Sequence, residues 1–252
     1  MADGPLRFGI LGAARIAPMA LVAPARRVPE AAVVAIAARD PERARRFAAK
    51  HGIPRALPSY EALLADPETD AIYNPLPIPR DIRYSAALAG GALMDAGCYT
   101  VHMLRHLADA EPEVESARAW WTRGGVDRAM EAHLRFPGGR TARLTASLFS
   151  AWVIRVQAKV DGSVGRMRVL NPVAPQFFHR LSVVTPAGSR SERVAGPPTY
   201  DCQLRAFVAA VREGASVPTG PDDAVRNMRV IEAIYARARS PWAPKRDSNP
   251  SA

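Results

Sequence analysis

The sequence predicts an α/β unit built on a parallel sheet, followed by an α+β unit with a largely antiparallel, open sheet. Three observations predict it. A strand–glycine turn–helix pattern opens the chain at Phe8–Ala17, FGILGAARIA. A continuous apolar run at Ala32–Ala38, AVVAIAA, has the composition of a strand buried on both faces, as parallel strands are. From Met130 onward apolar residues instead alternate with polar ones, the period of antiparallel strands with one wet face.

Leu6, Phe8, Ile10 and Leu11 read as the first strand, Gly12 starts a tight turn, and Arg15 onward has the composition of a helix start. This helix ends near the turn at Arg26–Pro29. A helix N-terminus placed after such a turn offers N–H groups to a pyrophosphate. Of the three positions in the dinucleotide fingerprint G-x-G-x-x-G, Gly12, Ala14 and Ala17 occupy them here, so only the first is glycine. Alanine still allows close backbone approach, but the motif alone is equally consistent with a plain strand–turn–helix. After the second strand, Asp40 suits an N-cap and Pro41 a first helical residue for an arginine-rich amphipathic helix over Glu42–His51, closed by Gly52. A short helix at Tyr60–Ala65 and a short strand at Asp70–Tyr73 lead into NPLP. The order β-α-β-α-(α)-β is one mononucleotide-binding half, a truncated Rossmann-type parallel sheet.

The end of the second strand bears on the cofactor. An NAD site usually places a carboxylate there for the ribose 2′-OH, whereas an arginine accommodates a 2′-phosphate. Ala37 and Ala38 bring no carboxylate, Arg39 sits where a phosphate needs a cation, and Asp40 reads as a helix cap. NADP is favoured over NAD.

After Pro77 only Ile78, Pro79 and Arg80 precede Asp81-Ile82-Arg83-Tyr84, whereas a second βαβ half needs about 30 residues. A Gly90-Gly91 turn then precedes a helix whose apolar residues Leu93, Met94, Cys98, Val101, Leu104 and Leu107 fall roughly on one side. Asp95, Tyr99, His102 and His106 follow one another at spacings that share a helical face. A carboxylate, a phenol and an imidazole on one face suit proton handling; the alternative is a polar stripe packed under a sheet. No HExxH glutamate accompanies the two histidines, so no metal site is expected.

The remainder is sheet-like. Met130, Ala132, Leu134 and Phe136 alternate with polar residues, Pro137-Gly138-Gly139 turns the chain, and Ala142, Leu144, Ala146 and Leu148 resume. Ile154, Val156, Ala158 and Val160 repeat the pattern, with turns at Asp161-Gly162 and Pro186-Ala187-Gly188. Two helices, Tyr200–Glu213 and Asp222–Arg237, close the chain before a polar, proline-containing stretch read as disordered. The expected domains are residues 1–78 for the nucleotide half, 79–239 for a substrate and dimerisation domain, and 240–252 for the tail.

Composition removes several functions. The chain has 252 residues, 48% hydrophobic, enough for one large or two modest cores. No run approaches a membrane span, and MADGPLRFGI lacks the pattern of a signal peptide, so a soluble cytoplasmic protein is expected. Cys98 and Cys202 are far apart and form no CxxC, which suggests neither a disulfide framework nor a zinc site. The formal charge of +10 is nearly all arginine, scattered among acids and not interleaved with aromatics, so no nucleic-acid partner is expected.

The chain resembles the Gfo/Idh/MocA oxidoreductases, in the branch of glucose–fructose oxidoreductase, dimeric dihydrodiol dehydrogenase and NADP-dependent sugar dehydrogenases. The matching pieces are GILGAARIA at Gly9–Ala17, AARDPERA at Ala37–Ala44, IYNPLP at Ile72–Pro77, GGALMDAGCY at Gly90–Tyr99 and DDAVRNMRVIEAIYARA at Asp222–Ala238. The resemblance implies hydride transfer between NADP (or NAD) and a sugar or diol CH–OH, and a homodimer formed through the open sheet. It places Gly12, Ala14, Arg15, Ile16 and Ala17 at the pyrophosphate turn and Arg39 at the 2′-phosphate. Asn74, Pro75 and Pro77 would border the nucleotide. Asp95 and Tyr99 match the branch's D-x-G-x-Y, with Tyr99 as proton donor or acceptor. One departure is severe: the family's E-K-P motif, whose lysine works with the tyrosine, occurs nowhere, and only Lys50, Lys159 and Lys245 are lysines. An ordinary tyrosine titrates near pH ~10, and bringing it to ~7 takes about 4 kcal/mol of local field, which that lysine would supply. The sequence therefore implies an impaired enzyme or, alternatively, a non-catalytic dimeric relative that binds nucleotide weakly or serves as a scaffold.

Overall fold

A computed structural model describes residues 4–75, 82–148, 156–217 and 219–238. The chain divides into two compact units, residues 1–77 with 155–217 and residues 78–154 with 218–252.

The first unit opens with β1 (Leu6–Leu11), a turn, and α1, a π-helical turn Pro18–Val22 running into Ala23–Ala25. Then come β2 (Ala31–Ala37), α2 (Pro41–His51), β3 (Arg55–Leu57), α3 (Tyr60–Leu64) and β4 (Ala71–Tyr73). The four strands make one parallel sheet in the order β3-β2-β1-β4, so β1 lies inside the sheet, with the glycine turn at its end. Ile10, Ala35 and Ile36 are fully buried, as the apolar runs require. Asp40 caps α2 by accepting the Glu42 amide at 2.9 Å, and Gly52 closes it in the left-handed region at φ +66°. The short strand β3 has no apolar periodicity of its own. α1 begins later than Arg15 because Pro18, which lacks an amide, fits only the first turn; Arg15 and Ile16 form the turn before it.

The second unit begins with two single-turn 3₁₀ segments, Ile82–Tyr84 and Ala86–Leu88, and then α4. α4 is π-helical over Leu93–Gly97 and α-helical over Cys98–Ala108. β5 (Glu113–Trp121), β6 (Asp127–Arg135) and β7 (Thr141–Ser147) form an antiparallel sheet in sequence order. Met130, Ala132, Leu134 and Leu144 share its buried face and pack with Leu93 and Val101 of α4. Leu107 departs from the expected apolar side: it is exposed, because Arg105 turns inward in that last helical turn to meet Glu111 and Asp223.

The chain then contributes to the first unit again. β8 (Gln157–Gly162), β9 (Gly165–Leu170), β10 (Arg180–Thr185) and β11 (Gly188–Glu192) form a second antiparallel sheet. The stretch Ile154–Arg155 expected to open this strand, Pro77, and the tail from Ser240 lie outside the described residues. α5 (Thr199–Glu213) packs on the nucleotide half: Leu204 and Val208 join Phe8, Leu21 and Val22 in one core. Arg27 donates two hydrogen bonds, of 2.7 and 2.6 Å, to the buried Asp201 carboxylate. α6 (Pro221–Arg237) returns to the second unit, where Val230, Ile231 and Ile234 complete the core under β5–β7.

Candidate functional site

In the first unit the turn after β1 is built for close approach. Gly12 stands at φ +95°, and its amide donates to the Ala37 carbonyl at 2.7 Å, tying the turn to the end of β2. Ala14 and Ala17, small residues where the fingerprint asks for glycine, are both buried. Arg15 and Ile16 are exposed, and the Ile16 carbonyl accepts the amides of Met19 and Ala20 at 3.1 and 2.9 Å, starting the helix. Arg39 is exposed just beyond β2. The neighbouring carboxylate, Asp40, is committed to capping α2. Arg43, in the first turn of α2, donates to the Ala13 carbonyl at 3.0 Å. A second guanidinium thus braces the glycine turn itself, a role not assigned from the sequence although its i+4 spacing from Arg39 was visible. Asn74 and Pro75 follow β4, whose Tyr73 is paired with Ile10, so they leave the sheet next to the end of β1. Glycine, small buried alanines, a helix N-terminus and two arginines fit a phosphorylated dinucleotide.

Asp95 and Tyr99 belong to the second unit, on α4. Both are exposed, Tyr99 at 58%. His102 does not join them as a free imidazole. Its Nδ1 lies 3.1 Å from Asp223 Oδ2, and its ring stacks on His106 with centroids 6.1 Å apart. Asp223 also accepts from Arg105 at 2.9 Å; burial pushes its carboxyl up, but Arg105 and its neighbours leave the net shift downward. The expected proton-handling face therefore divides, with His102 drawn into the ion-pair network between α4 and α6. Burial raises the Cys98 thiol above its ordinary value.

The π-helical start of α4 is held from three directions. The Asp127 carboxylate, 1% exposed, accepts the Leu93 amide at 2.9 Å, and the Tyr235 hydroxyl donates to it at 2.8 Å. Gly91, at φ +134°, leaves room for that carboxylate: a Cβ there would overlap Asp127 Oδ1 and stand 3.0 Å from the Tyr235 hydroxyl. Gly97 lies against β7, where a Cβ would come within 3.3 Å of Ala146 Cβ. Asn227 of α6 donates to the Cys98 carbonyl at 3.2 Å. Burial raises the Asp127 carboxyl despite these hydrogen bonds, and raises the Tyr235 phenol together with the Asp127 charge. Asn227 and Tyr235 fall within the matching piece Asp222–Ala238, but the bonds they and Asp127 make are not legible in the sequence, since the partners are far away in the chain.

A parallel sheet with a glycine turn and arginines at its rim, joined to a sheet-and-helix unit carrying D-x-G-x-Y, defines a nicotinamide-nucleotide oxidoreductase type. Two family models match overlapping parts of the chain: "Oxidoreductase family, NAD-binding Rossmann fold" over residues 6–84 and "GFO/IDH/MocA C-terminal domain" over residues 69–168. The chain belongs to the Gfo/Idh/MocA oxidoreductase family. It is 27% identical over 330 residues to an uncharacterized oxidoreductase of Rhizobium meliloti, covering 94% of this chain and 98% of that protein. It is also 27% identical over 321 residues to D-xylose 1-dehydrogenase (NADP(+)) 2 of Haloferax volcanii, covering 93% and 98%. Among solved structures, a 3-ketoreductase from Actinomadura kijaniata in complex with NADP and TDP-benzene superposes with a TM-score of 0.82 at 21% identity. That match covers 93% of this chain and 98% of the other, and at this identity it speaks for the fold. Among the described residues no helix is long and apolar enough to cross a membrane.

Proposed function

We propose that this chain is an NADP-dependent oxidoreductase of a sugar or diol CH–OH group, impaired by the loss of its lysine-bearing segment. The observation that carries the cofactor reading is the disposition of charge at the end of β2. Asp40 is spent on the Glu42 amide of α2, while Arg43 braces the glycine turn and Arg39 stands exposed just beyond β2. Gly12, Ala14, Arg15, Ile16 and Ala17 take the pyrophosphate, Arg39 and Arg43 the 2′-phosphate. Asn74 and Pro75 border the nucleotide. NADP supplies the hydride acceptor or donor; Tyr99 exchanges the proton with the substrate oxygen, and Asp95 orients that oxygen. The substrate class is supported by the likeness to D-xylose 1-dehydrogenase (NADP(+)) 2 of Haloferax volcanii.

Impairment follows from the missing E-K-P lysine. The reading of a missing segment, not the impairment itself, is what the alignments support: they run over more positions than this chain has residues. The same absence favours the second reading, a non-catalytic relative. Either form is expected to be cytoplasmic and to dimerise through its C-terminal sheet.

Inserting the family's segment between Pro77 and Asp81 tests the reading. The restored chain should reduce NADP with a sugar or diol, followed at 340 nm, and Tyr99→Phe should abolish that activity. A restored chain that binds NADP yet stays inert, with Tyr99→Phe changing nothing, would overturn the assignment of Tyr99.

A further inference from the structure

We propose that Asp127, held by Tyr235, is a positioning residue that sets where α4 presents Tyr99; the inference rests on the role given to Tyr99 above. Helix starts are ordinarily capped by a side chain just before them. α4 has no such cap at Ala92. Its Leu93 amide is instead satisfied by a carboxylate 34 residues further along the chain, at the first position of β6. That arrangement costs more than a local serine, because a charge must be buried. What it adds is a tie between the helix and one fixed point of the sheet.

The carboxylate has little freedom. Oδ2 accepts from Leu93, Oδ1 accepts from Tyr235, and the absent side chain of Gly91 is the space Oδ1 fills. Tyr235 is in turn backed by the Trp121 ring, with centroids 6.2 Å apart. Asp95 lies two residues beyond Leu93, and Tyr99 six residues, about 9 Å along the helix. Between them, the close fit of Gly97 against Ala146 and the bond from Asn227 to Cys98 hold the π-helical turn from its other sides. π-helical turns are frequent at functional sites, where they re-aim side chains. A shift of the Leu93 anchor would therefore pass directly into the position of the Tyr99 ring.

The test uses the full chain labelled with 3-fluorotyrosine, the Tyr99 resonance being assigned by its loss in Tyr99→Phe. Asp127→Asn removes the charge and Tyr235→Phe removes only the hydroxyl. Ile231→Val, in the same core but outside the clamp, is the control for lost stability. In both clamp variants the Tyr99 ¹⁹F resonance should shift or broaden. The Leu93 amide should also exchange at least about tenfold faster than in the control. A Tyr99 resonance and an exchange pattern that stay with the control in both variants would overturn the proposal. Should Asp127→Asn not fold, Tyr235→Phe decides by the same readouts. Failure of the unaltered chain to bind NADPH would defeat the functional reading without moving these signals, so the two failures are distinguishable.

Discussion

Gly91→Ala is expected to be among the most damaging single-methyl additions in this protein. The residue stands at φ +134°, where an L-side chain costs about 1–2 kcal/mol of backbone strain. Its Cβ would also occupy the place of Asp127 Oδ1, so the carboxylate must leave. The Leu93 amide and the Tyr235 hydroxyl then lose their buried acceptor, at about 1–3 kcal/mol each. Partial relaxation keeps the total near 3–6 kcal/mol, a large share of the 5–15 kcal/mol typical of a domain. Gly138→Ala is the natural comparator, because Gly138 has a positive φ of 79° but nothing within 4 Å of its added Cβ. It carries the backbone strain alone. Urea unfolding followed by tryptophan fluorescence should place the Gly91→Ala midpoint well below that of Gly138→Ala, with unchanged slope. Equal midpoints would refute the reasoning, since the carboxylate would then contribute nothing.

Removing the Arg39 guanidinium with Arg39→Ala should weaken NADPH binding about ten- to a hundredfold, the worth of a charge-assisted phosphate contact, and leave NADH binding unchanged. Arg43→Ala should weaken both nucleotides in the same fluorescence titration, because it also releases the turn at Ala13. Gly9→Ala should lose about 1–3 kcal/mol in thermal unfolding, since its Cβ would come within 2.8 Å of Leu63 Cδ1 and 2.9 Å of Thr69 Cγ2. Acid should destabilise the first unit. Hydrogen bonds from Arg55 and then Thr69 hold Asp66 down to about 2 from an ordinary 3.8, so its contribution is present above pH 3.8 and lost as pH falls toward 2. Thermal midpoints between pH 5 and pH 2 should therefore fall less steeply in Asp66→Asn than in the unaltered chain.

Much of the fold was legible because its cues are local. The run at Ala32–Ala38, the Asp40-Pro41 start and Gly52 stop of α2, and the alternation from Met130 each announce an element within a dozen residues. β3 escaped because three residues between prolines carry no period, and β5 because its residues Glu113–Trp121 alternate weakly. α1 starts three residues later than the composition from Arg15 suggests, since the demand of Pro18 for a first-turn position outweighs the helix propensity of Arg15. Gly12, Ala14, Ala17 and Arg39 are assigned from spacing because they lie on one turn and one strand end, both short in sequence. His102 was read as part of a proton-handling face, yet its partner Asp223 is more than a hundred residues away. Asp127, Tyr235 and Asn227 escaped for the same reason: their meaning lies in contacts that only the folded chain makes.

NADPH fluorescence, titrated with this polypeptide alone and repeated with NADH, tests the central claim most directly. Saturable micromolar binding of NADPH, with NADH at least about tenfold weaker for want of the 2′-phosphate contacts, is the expected result. No saturable NADPH signal from a folded protein, or equal affinity for the two nucleotides, would contradict it.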